Sequence, residues 1–212
     1  MFEIIEQIGL HKLVPVIVID DKDNALPLAD ALIKGGLPVA EVTFRTQAAK
    51  ESIEQIAKQF PAMLIGAGTV LTIDQVKAAV DAGAKYIVSP GLNQKVVEYC
   101  VTNNIPITPG IATPSEIEQA LELGLDVVKF FPAETLGGIK YLKAISAPYG
   151  NLKFIPTGGV DESNLPGYLQ FSKVLACGGS WMVNKDLINN KQFDVVTKLT
   201  SAALSIVHMM NK

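Results

Sequence analysis

The sequence predicts a single-domain α/β protein whose parallel strands close into a (β/α)8 barrel, the TIM-barrel fold. Three observations lead to this prediction. Eight short apolar segments begin 19–27 residues apart, segments with helical periodicity lie between them, and glycine follows several of those helical segments. Such a spacing holds one strand, one helix and two short loops. An open, doubly wound sheet is the alternative, but no glycine-rich dinucleotide-binding motif follows the first strand.

Each predicted strand is a short apolar run bounded by polar residues or glycine. The runs cover residues 13–19, 39–44, 63–68, 86–90, 106–110, 127–132, 154–159 and 173–179. Helical periodicity is found between them, for example over residues 25–33, 48–57, 73–80, 94–101 and 115–123. Gly36, Gly83 and Gly124 stand where a helix turns back toward a strand, and Thr72 and Thr113 stand where helices begin. No linker interrupts the pattern, so one domain over residues 1–212 is expected.

Composition and charge exclude several classes of protein. With 49% hydrophobic residues and a net charge of −3, the chain is too apolar for disorder and has no long-range attraction for nucleic acid or an anionic membrane. No run approaches the ~18 apolar residues of a membrane span, and residues 1–9 lack the basic start of a secretion signal. Cys100 and Cys177 lie in apolar runs and are expected to be reduced core thiols of a cytoplasmic protein.

The two histidines also narrow the chemistry. His11 and His208 are the only ones, and both lie outside the predicted strand ends. Neither a histidine metal centre nor a histidine-based catalytic triad is therefore expected. The sequence predicts a site without a metal and without a cofactor.

Lys129 is the first candidate functional residue, because it interrupts the apolar sixth strand. Functional side chains of a barrel lie at the carboxyl ends of its strands. A buried ammonium is costly unless it is paired or loses its proton, and a neutral amine is a nucleophile. Lys129 is thus a candidate nucleophile. Two alternatives remain at this point: a strand-end lysine that extends to solvent, or a lysine that only pairs with a carboxylate.

The second strand carries three polar residues at alternate positions. Glu41, Thr43 and Arg45 share one face, whereas Val42 and Phe44 share the other. If the apolar face packs against helices, the polar face lies inside the barrel. Arg45 is the only arginine beside 17 lysines, which indicates a place where the planar guanidinium is needed, as in binding a carboxylate or a phosphate. The alternative is a structural ion pair between Glu41 and Arg45.

Glycine pairs end the last two strands. Gly158 and Gly159 follow the seventh strand, and Gly178 and Gly179 close the eighth. Barrels often hold a phosphate at these two positions, where backbone N–H groups can converge on an anion. Thr69 and the Ser-Pro-Gly sequence that includes Pro90 end strands three and four, and by themselves they fit turn chemistry alone.

Taken together, six motifs resemble one known family, the 2-keto-3-deoxy-6-phosphogluconate (KDPG) and 4-hydroxy-2-oxoglutarate (KHG) aldolases. They occur in order from the second to the eighth strand: EVTFRT at 41–46, GAGTV at 66–70, SPG at 89–91, KFFPAE at 129–134, PTGG at 156–159 and GGSW at 178–181. The resemblance implies a class I aldolase that needs no metal, adopts a (β/α)8 fold and assembles as a homotrimer. Its implied ligands are a 2-keto acid and a phosphorylated aldehyde.

The resemblance also implies a role for each matching residue. Lys129 matches the Schiff-base lysine, Glu41 the acid/base, and Arg45 the residue near the pyruvyl carboxylate. The implied substrate-binding positions are Thr69, Pro90, Phe131, Thr157, Gly158, Gly159, Gly179 and Ser180. Phe44, Thr135 and Leu136 depart from the common pattern. Because Thr135 and Leu136 follow the lysine strand near the sugar-derived end of the substrate, they affect the expected substrate preference more than the mechanism.

Two functions of other classes remain open on the sequence. One is a phosphate-binding barrel that isomerises its substrate, with Lys129 acting only through its charge. The other is a phosphosugar-binding protein without activity. The resemblance leaves KDPG, its galactonate epimer and KHG as possible substrates.

Overall fold

Eight parallel strands form the centre of the molecule, in a computed structural model that describes residues 2–210. The strands are β1 (Leu13–Ile17), β2 (Val39–Thr43), β3 (Leu64–Gly68), β4 (Tyr86–Ser89), β5 (Ile107–Ile111), β6 (Val127–Phe130), β7 (Lys153–Pro156) and β8 (Cys177–Gly179). Their order in the sheet is β7-β6-β5-β4-β3-β2-β1-β8. Bridges from Phe154 to Val174 and from Thr157 to Gly178 bring β7 next to β8. The predicted barrel is therefore confirmed.

Helices surround this sheet. They are α1 (Phe2–His11), α2 (Ala25–Lys34), α3 (Ala49–Gln59), α4 (Ile73–Asp81), α5 (Gln94–Thr102), α6 (Pro114–Glu122), α7 (Gly138–Ser146), α8 (Leu165–Leu169), α9 (Lys185–Asn189) and α10 (Phe193–Met210). Short 3-10 turns at Lys22–Asn24 and Trp181–Val183 precede α2 and α9. The long helix α10 packs against α2 and α8.

Local sequence explains where several helices begin and end. Thr72 caps α4 by accepting a hydrogen bond from the backbone of Gln75. Thr113 and Glu116 form a capping box at the start of α6, where Pro114 occupies the first turn. Gly83 follows α4 with a φ of 93°, a left-handed conformation that costs glycine little. The chain can therefore turn sharply from this helix back to the next strand, as the sequence predicted.

The helix α1 closes the amino-terminal end of the barrel. Ile8 on this helix is 1% exposed and borders the barrel interior together with Val14, Tyr86 and Lys129. The interior is thus sealed at one end by apolar packing. Its other end, where the strands finish, is the one that remains available for a ligand.

The eighth strand is shorter than predicted. Only Cys177–Gly179 pair as a strand, whereas residues 173–179 were expected. Val174 bonds back to the carbonyl of Phe171 in a turn, and Lys173 donates to the carbonyls of Ser146 and Tyr149. Val174 still forms an isolated bridge with Phe154, so the start of the segment pairs with β7 without forming a continuous strand. The other strand boundaries coincide with the prediction or differ from it by at most three residues.

The cysteines lie where the sequence placed them. Cys100 and Cys177 are buried and free, and burial raises the pKa of Cys100 to about 12 and also raises that of Cys177. His11 and His208 line one cleft with Gly36, at the end of the barrel opposite the carboxyl ends of the strands. In residues 2–210 we find no helix long and apolar enough to cross a membrane.

Candidate active site

Lys129 and Glu41 form a buried pair inside the barrel. The Nζ of Lys129 donates a hydrogen bond to Oε1 of Glu41 across 3.2 Å, and the two side chains are only 7% and 4% exposed. Burial in a low-dielectric interior strengthens the attraction between the ammonium and the carboxylate. The lysine therefore pairs with a carboxylate, and this excludes a side chain that extends to solvent. The alternative considered for Glu41, a structural ion pair with Arg45, is not found in residues 2–210, where Glu41 pairs with Lys129 instead.

Glycines on β3 provide the space for this pair. A Cβ atom on Gly68 would lie 2.2 Å from Oε1 of Glu41, and one on Gly66 would lie 2.3 Å from the ring of Tyr86. Both approaches are shorter than any real contact, so only glycine fits at these two positions. Tyr86 in turn donates its hydroxyl to the carbonyl of Ala40 across 2.9 Å. The motif at 66–70 is thus explained by packing around Glu41.

Arg45 lies just beyond the end of β2, as the alternation predicted. Its Nε donates to Oγ1 of Thr69 at 3.3 Å. Thr69 follows β3 and has a φ of 56°, a left-handed conformation uncommon for a side chain branched at Cβ. Thr43, between Glu41 and Arg45, donates to the carbonyl of Ile17 at 2.8 Å. The guanidinium is therefore exposed, yet oriented by a residue of the adjacent strand end.

An open cavity of about 470 Å³ lies at the carboxyl ends of the strands. It brings together seven of the predicted site residues: Arg45, Phe131, Thr157, Gly158, Gly159, Gly179 and Ser180. Lys129 lies beneath it, with its Nζ 5.3 Å from the centre of the Phe131 ring. Thr157 borders both this cavity and the small interior space that contains Lys129 and Glu41. Lys129 and Glu41 do not line the larger cavity themselves; they border the small interior space, which shares Thr157 with it.

The parts of this cavity suit a carbonyl compound with two anionic ends. An amine adds to a carbonyl when a neighbouring group moves its proton, and Glu41 is within hydrogen-bond distance of Lys129. The guanidinium of Arg45 can bind a carboxylate. Gly158 and Gly159 have φ values of 99° and 80° and line the cavity with Ser180. Consecutive residues in such turns can present backbone N–H groups to an anion. The described residues contain no group of three histidine, cysteine, aspartate or glutamate side chains that could hold a metal ion.

Comparison with known proteins identifies the family. The family model for KDPG and KHG aldolase matches residues 4–199. The chain belongs to this family. It is 48% identical over 205 residues to the 2-dehydro-3-deoxy-phosphogluconate aldolase of Haemophilus influenzae, with 97% of each chain covered. It is 43% identical to the KHG/KDPG aldolase of Escherichia coli, with 90% of each chain covered.

Solved structures agree with this assignment. The KDPG aldolase of Legionella pneumophila, crystallised with pyruvate as a covalent carbinolamine intermediate, has a TM-score of 0.91 and 41% identity over 94% of this chain and 97% of that one. The Zymomonas mobilis enzyme, crystallised with 3-phosphoglycerate, has a TM-score of 0.90 and 38% identity over 97% of each. The protein is therefore an aldolase with a (β/α)8 fold.

Two predicted substrate-binding residues of the aldolase lie beside the cavity. Thr69 contacts Arg45 but does not line the cavity wall. Pro90 borders a separate, shallow cleft with Val70 and Asn93. The carbonyl of Pro90 also covers Gly110, which is the residue of β5 that pairs with Lys129. Pro90 therefore lies against the strand next to the lysine, outside the cavity lining.

Thr135 and Leu136, which the resemblance placed near the sugar-derived end of the substrate, are not among the residues that line the cavity. They belong to a tight turn in which the backbone N–H of Leu136 bonds to the carbonyl of Pro132 at 3.1 Å. Leu136 packs against the core, and Thr135 is exposed. Neither side chain therefore belongs to the cavity lining.

Sequence reasoning missed two features of the site. Tyr168 donates its hydroxyl to the carboxylate of Glu134, and burial followed by this bond raises the pKa of Tyr168. The backbone N–H of Glu134 bonds to the carbonyl of Gly158 at 3.0 Å, so the loop after β6 supports the turn after β7. Lys185, at the start of α9, also lines the cavity. Glu134 lies in the KFFPAE motif, whereas nothing in the sequence distinguishes Lys185 from the other lysines.

Proposed function

We propose that this aldolase cleaves KDPG to pyruvate and glyceraldehyde 3-phosphate through a Schiff base on Lys129, and that KHG is a second substrate, cleaved to pyruvate and glyoxylate. The observation that carries this proposal is the buried pair of Lys129 and Glu41 beneath an open cavity. The covalent pyruvate in the Legionella pneumophila relative and the 3-phosphoglycerate in the Zymomonas mobilis relative support the two halves of the substrate.

The first half of the reaction joins the substrate to the enzyme. Glu41 accepts a proton from the ammonium of Lys129, and the neutral Nζ attacks the C2 ketone to form a carbinolamine. Glu41 then returns a proton to the departing C2 hydroxyl, which leaves as water. The product is an iminium whose positive nitrogen can accept an electron pair from the substrate.

The second half breaks the bond between C3 and C4. Glu41, directly or through one water, accepts the proton of the C4 hydroxyl. The C4–O bond becomes the carbonyl of the leaving aldehyde, and the electron pair of the C3–C4 bond moves into the iminium to give an enamine. Protonation at C3 and addition of water then release pyruvate and regenerate the amine of Lys129. The iminium serves as the electron acceptor, so this sequence needs no metal or cofactor.

The cavity orients the substrate by its two charged ends. Arg45 binds the carboxylate next to C2, while Phe131 and Thr157 border the reacting carbons above Lys129. The phosphate lies at the opposite end, on the N–H groups of the glycine turns after β7 and β8 and on the hydroxyl of Ser180. Thr69 positions Arg45, and Pro90 forms the rim.

The setting of the enzyme is part of the same proposal. Its partners are small molecules, neither nucleic acid nor a membrane. The family resemblance supports a homotrimer in the cytoplasm, acting at the aldol step of the Entner–Doudoroff pathway. Analytical ultracentrifugation tests the assembly, because a trimer of a 22.7 kDa chain sediments well apart from a monomer or dimer.

The direct test of this function is cleavage of KDPG by the purified protein. We expect pyruvate to form, followed with lactate dehydrogenase and NADH, and the rate to persist after exhaustive treatment with EDTA. KHG and the galactonate epimer assayed in parallel rank the substrates. Interconversion of KDPG without pyruvate would favour an isomerase, and binding without turnover would favour a phosphosugar-binding protein. A rate lost with EDTA and restored by a divalent ion would indicate a metal-dependent aldolase.

Replacement of Arg45 by lysine is expected to weaken catalysis although it retains the charge. An ammonium cannot reproduce two parallel N–H contacts to a carboxylate. We expect kcat/KM to fall roughly 10- to 100-fold, the value of one charged hydrogen bond. The fall should be similar for KDPG and KHG, since both carry the carboxylate. A loss confined to the phosphorylated substrate would show that Arg45 binds phosphate and that the substrate lies the other way round.

Replacement of Ser180 by aspartate is expected to discriminate against the phosphorylated substrate. A carboxylate here repels a phosphate dianion, so we expect KM for KDPG to rise at least about 10-fold. KHG should be far less affected, and Ser180→Asn is the uncharged control of matching shape. Equal damage to both substrates would show that the turn after β8 is structural and does not bind phosphate.

A further inference from the structure

The cavity of the aldolase contains a cation that the mechanism above does not use. Among its lining residues in the described chain, Arg45 and Lys185 are the two with positive charge. Arg45 is held by Thr69 and takes the substrate carboxylate in the proposed orientation. Lys185 comes from the segment after β8 and lines the cavity together with Gly179 and Ser180.

In the structure Lys185 is held by a carboxylate outside the cavity lining. Its Nζ lies 2.8 Å from Oδ2 of Asp20, and the same oxygen accepts from Nδ2 of Asn189 at 3.2 Å. The hydrogen bond from Lys185 is the largest cause that lowers the pKa of Asp20. The two charged side chains are 51% and 39% exposed. Water and salt screen such a pair, so the ammonium can exchange Asp20 for another anion at little cost.

Among the described residues that line the cavity at the proposed phosphate end, Lys185 is the one with a positive charge. Gly158, Gly159, Gly179 and Ser180 offer N–H groups and a hydroxyl, none of which carries a formal charge. A phosphate dianion placed there competes with water for each contact. Lys185 is the cation that lines the cavity at this end, and the net charge of the chain is −3. Charge balance therefore points to the ammonium as the counterion of the phosphate.

We propose that Lys185 determines specificity for phosphorylated 2-keto acids, by moving its ammonium from Asp20 to the substrate phosphate. Asp20 holds Lys185 beside the cavity when the site is free and competes with the phosphate when substrate binds. The inference rests on the proposed function, because it assigns one more contact to the same site. Two opposite consequences follow: loss of Lys185 weakens binding of the phosphorylated substrate, and loss of the charge of Asp20 strengthens it.

The test measures KM and kcat for KDPG and KHG in two variants. Lys185→Met is expected to raise the ratio of KM for KDPG to KM for KHG about 10-fold, the value of one charged hydrogen bond, with kcat changing less than KM. Asp20→Asn is expected to lower the same ratio by up to about 5-fold, since the competing ion pair is an exposed one. The double variant should resemble Lys185→Met, because without the ammonium Asp20 has nothing to compete for.

A matched control is the exposed pair of Lys34 and Asp30 on α2, whose atoms are 2.6 Å apart. Lys34 ends α2 just before β2 begins, at the opposite end of the barrel from the cavity. Lys34→Met and Asp30→Asn change the net charge by the same amounts, and we expect neither to alter the ratio. A shift in these controls equal to that in the cavity variants would show a general charge effect and overturn the proposal.

Two further results keep the inference separate from the proposed function. Cleavage of KDPG by the unchanged protein tests the function alone, and an unaltered KM ratio in Lys185→Met would then overturn only the role of Lys185. If both variants change the ratio in the same direction, the ion pair is structural and the proposal fails.

Inorganic phosphate is an independent probe: it should raise the melting temperature of the unchanged protein more than that of Lys185→Met. An equal rise in both would also count against Lys185.

Discussion

Borohydride reduction in the presence of pyruvate is expected to add one reduced pyruvyl group to each chain, at Lys129. Reduction converts the iminium into a stable secondary amine, so intact mass shows the adduct and peptide mapping locates it. Lys129→Arg retains a positive charge but cannot form the iminium, because the guanidinium is not a nucleophile at neutral pH. We therefore expect this variant to show no adduct and to lose turnover by about 10⁴-fold or more.

Lys153→Arg is the matched control for this experiment. Lys153 also lies in a barrel strand, but it begins β7 and its Nζ donates to the carbonyl of Ser172 at 2.9 Å, far along the strand from the cavity. This variant should be trapped as completely as the unchanged protein. An adduct on a different lysine, or none in the unchanged protein, would remove the Schiff-base mechanism and leave the isomerase or the binding protein.

The sequence alone was enough to predict that Lys129 lies in a barrel strand, because the pattern that reveals it is confined to that one strand. A lysine between Val128 and Phe130 breaks the apolar pattern of a buried strand. In the structure a buried carboxylate pairs with this lysine. Its partner Glu41 is 88 residues away in the chain. Alternation placed Glu41 inside the barrel, but which charged group it meets depends on the stagger of strands around the barrel. The sequence thus left the partner of Glu41 open between Lys129 and Arg45.

The positions that sequence reasoning missed have a different physical origin. Lys185 begins a five-residue helix after β8, and its place in the cavity depends on how that helix packs. No periodicity distinguishes one lysine among 17 in such a segment. The packing of Leu136 against the core likewise depends on a turn closed by a backbone bond to Pro132. Strand patterns were enough to predict functional residues at strand ends, such as Lys129. The positions of Lys185 and Leu136, which loops and short helices determine, could be found only from the structure.

The structure explains two glycines of a sequence motif whose role the sequence alone did not reveal. The sequence presented Gly66 and Gly68 only as part of a resemblance to a family. In the structure they lie beside Tyr86 and Glu41, at distances where a Cβ atom cannot fit. Any larger residue at Gly68 would displace the carboxylate that faces Lys129. The motif therefore belongs to the site although neither glycine contributes a functional group.

Glu41→Gln is expected to lower retro-aldol turnover by about 10²- to 10⁴-fold, the usual contribution of a positioned general base. The amide nearly reproduces the shape of the carboxylate and can still accept a hydrogen bond from Lys129, but it cannot accept a proton at neutral pH. Pyruvate trapping should become slower and still reach completion, because water can supply protons for dehydration while the nucleophile remains. Steady-state kcat and the time course of borohydride trapping measure the two effects separately.

The KM of Glu41→Gln distinguishes a role of Glu41 in proton transfer from a role in substrate binding. Arg45 is held by Thr69 and not by Glu41, so we expect KM for KDPG to change little while kcat falls. Glu54→Gln, at an exposed position of α3, is the control for removing a carboxylate and should behave as the unchanged protein. If Glu41→Gln instead lowered the melting temperature markedly and left turnover per folded molecule intact, the pair with Lys129 would be structural. The general base would then have to be another group within reach of the cavity floor.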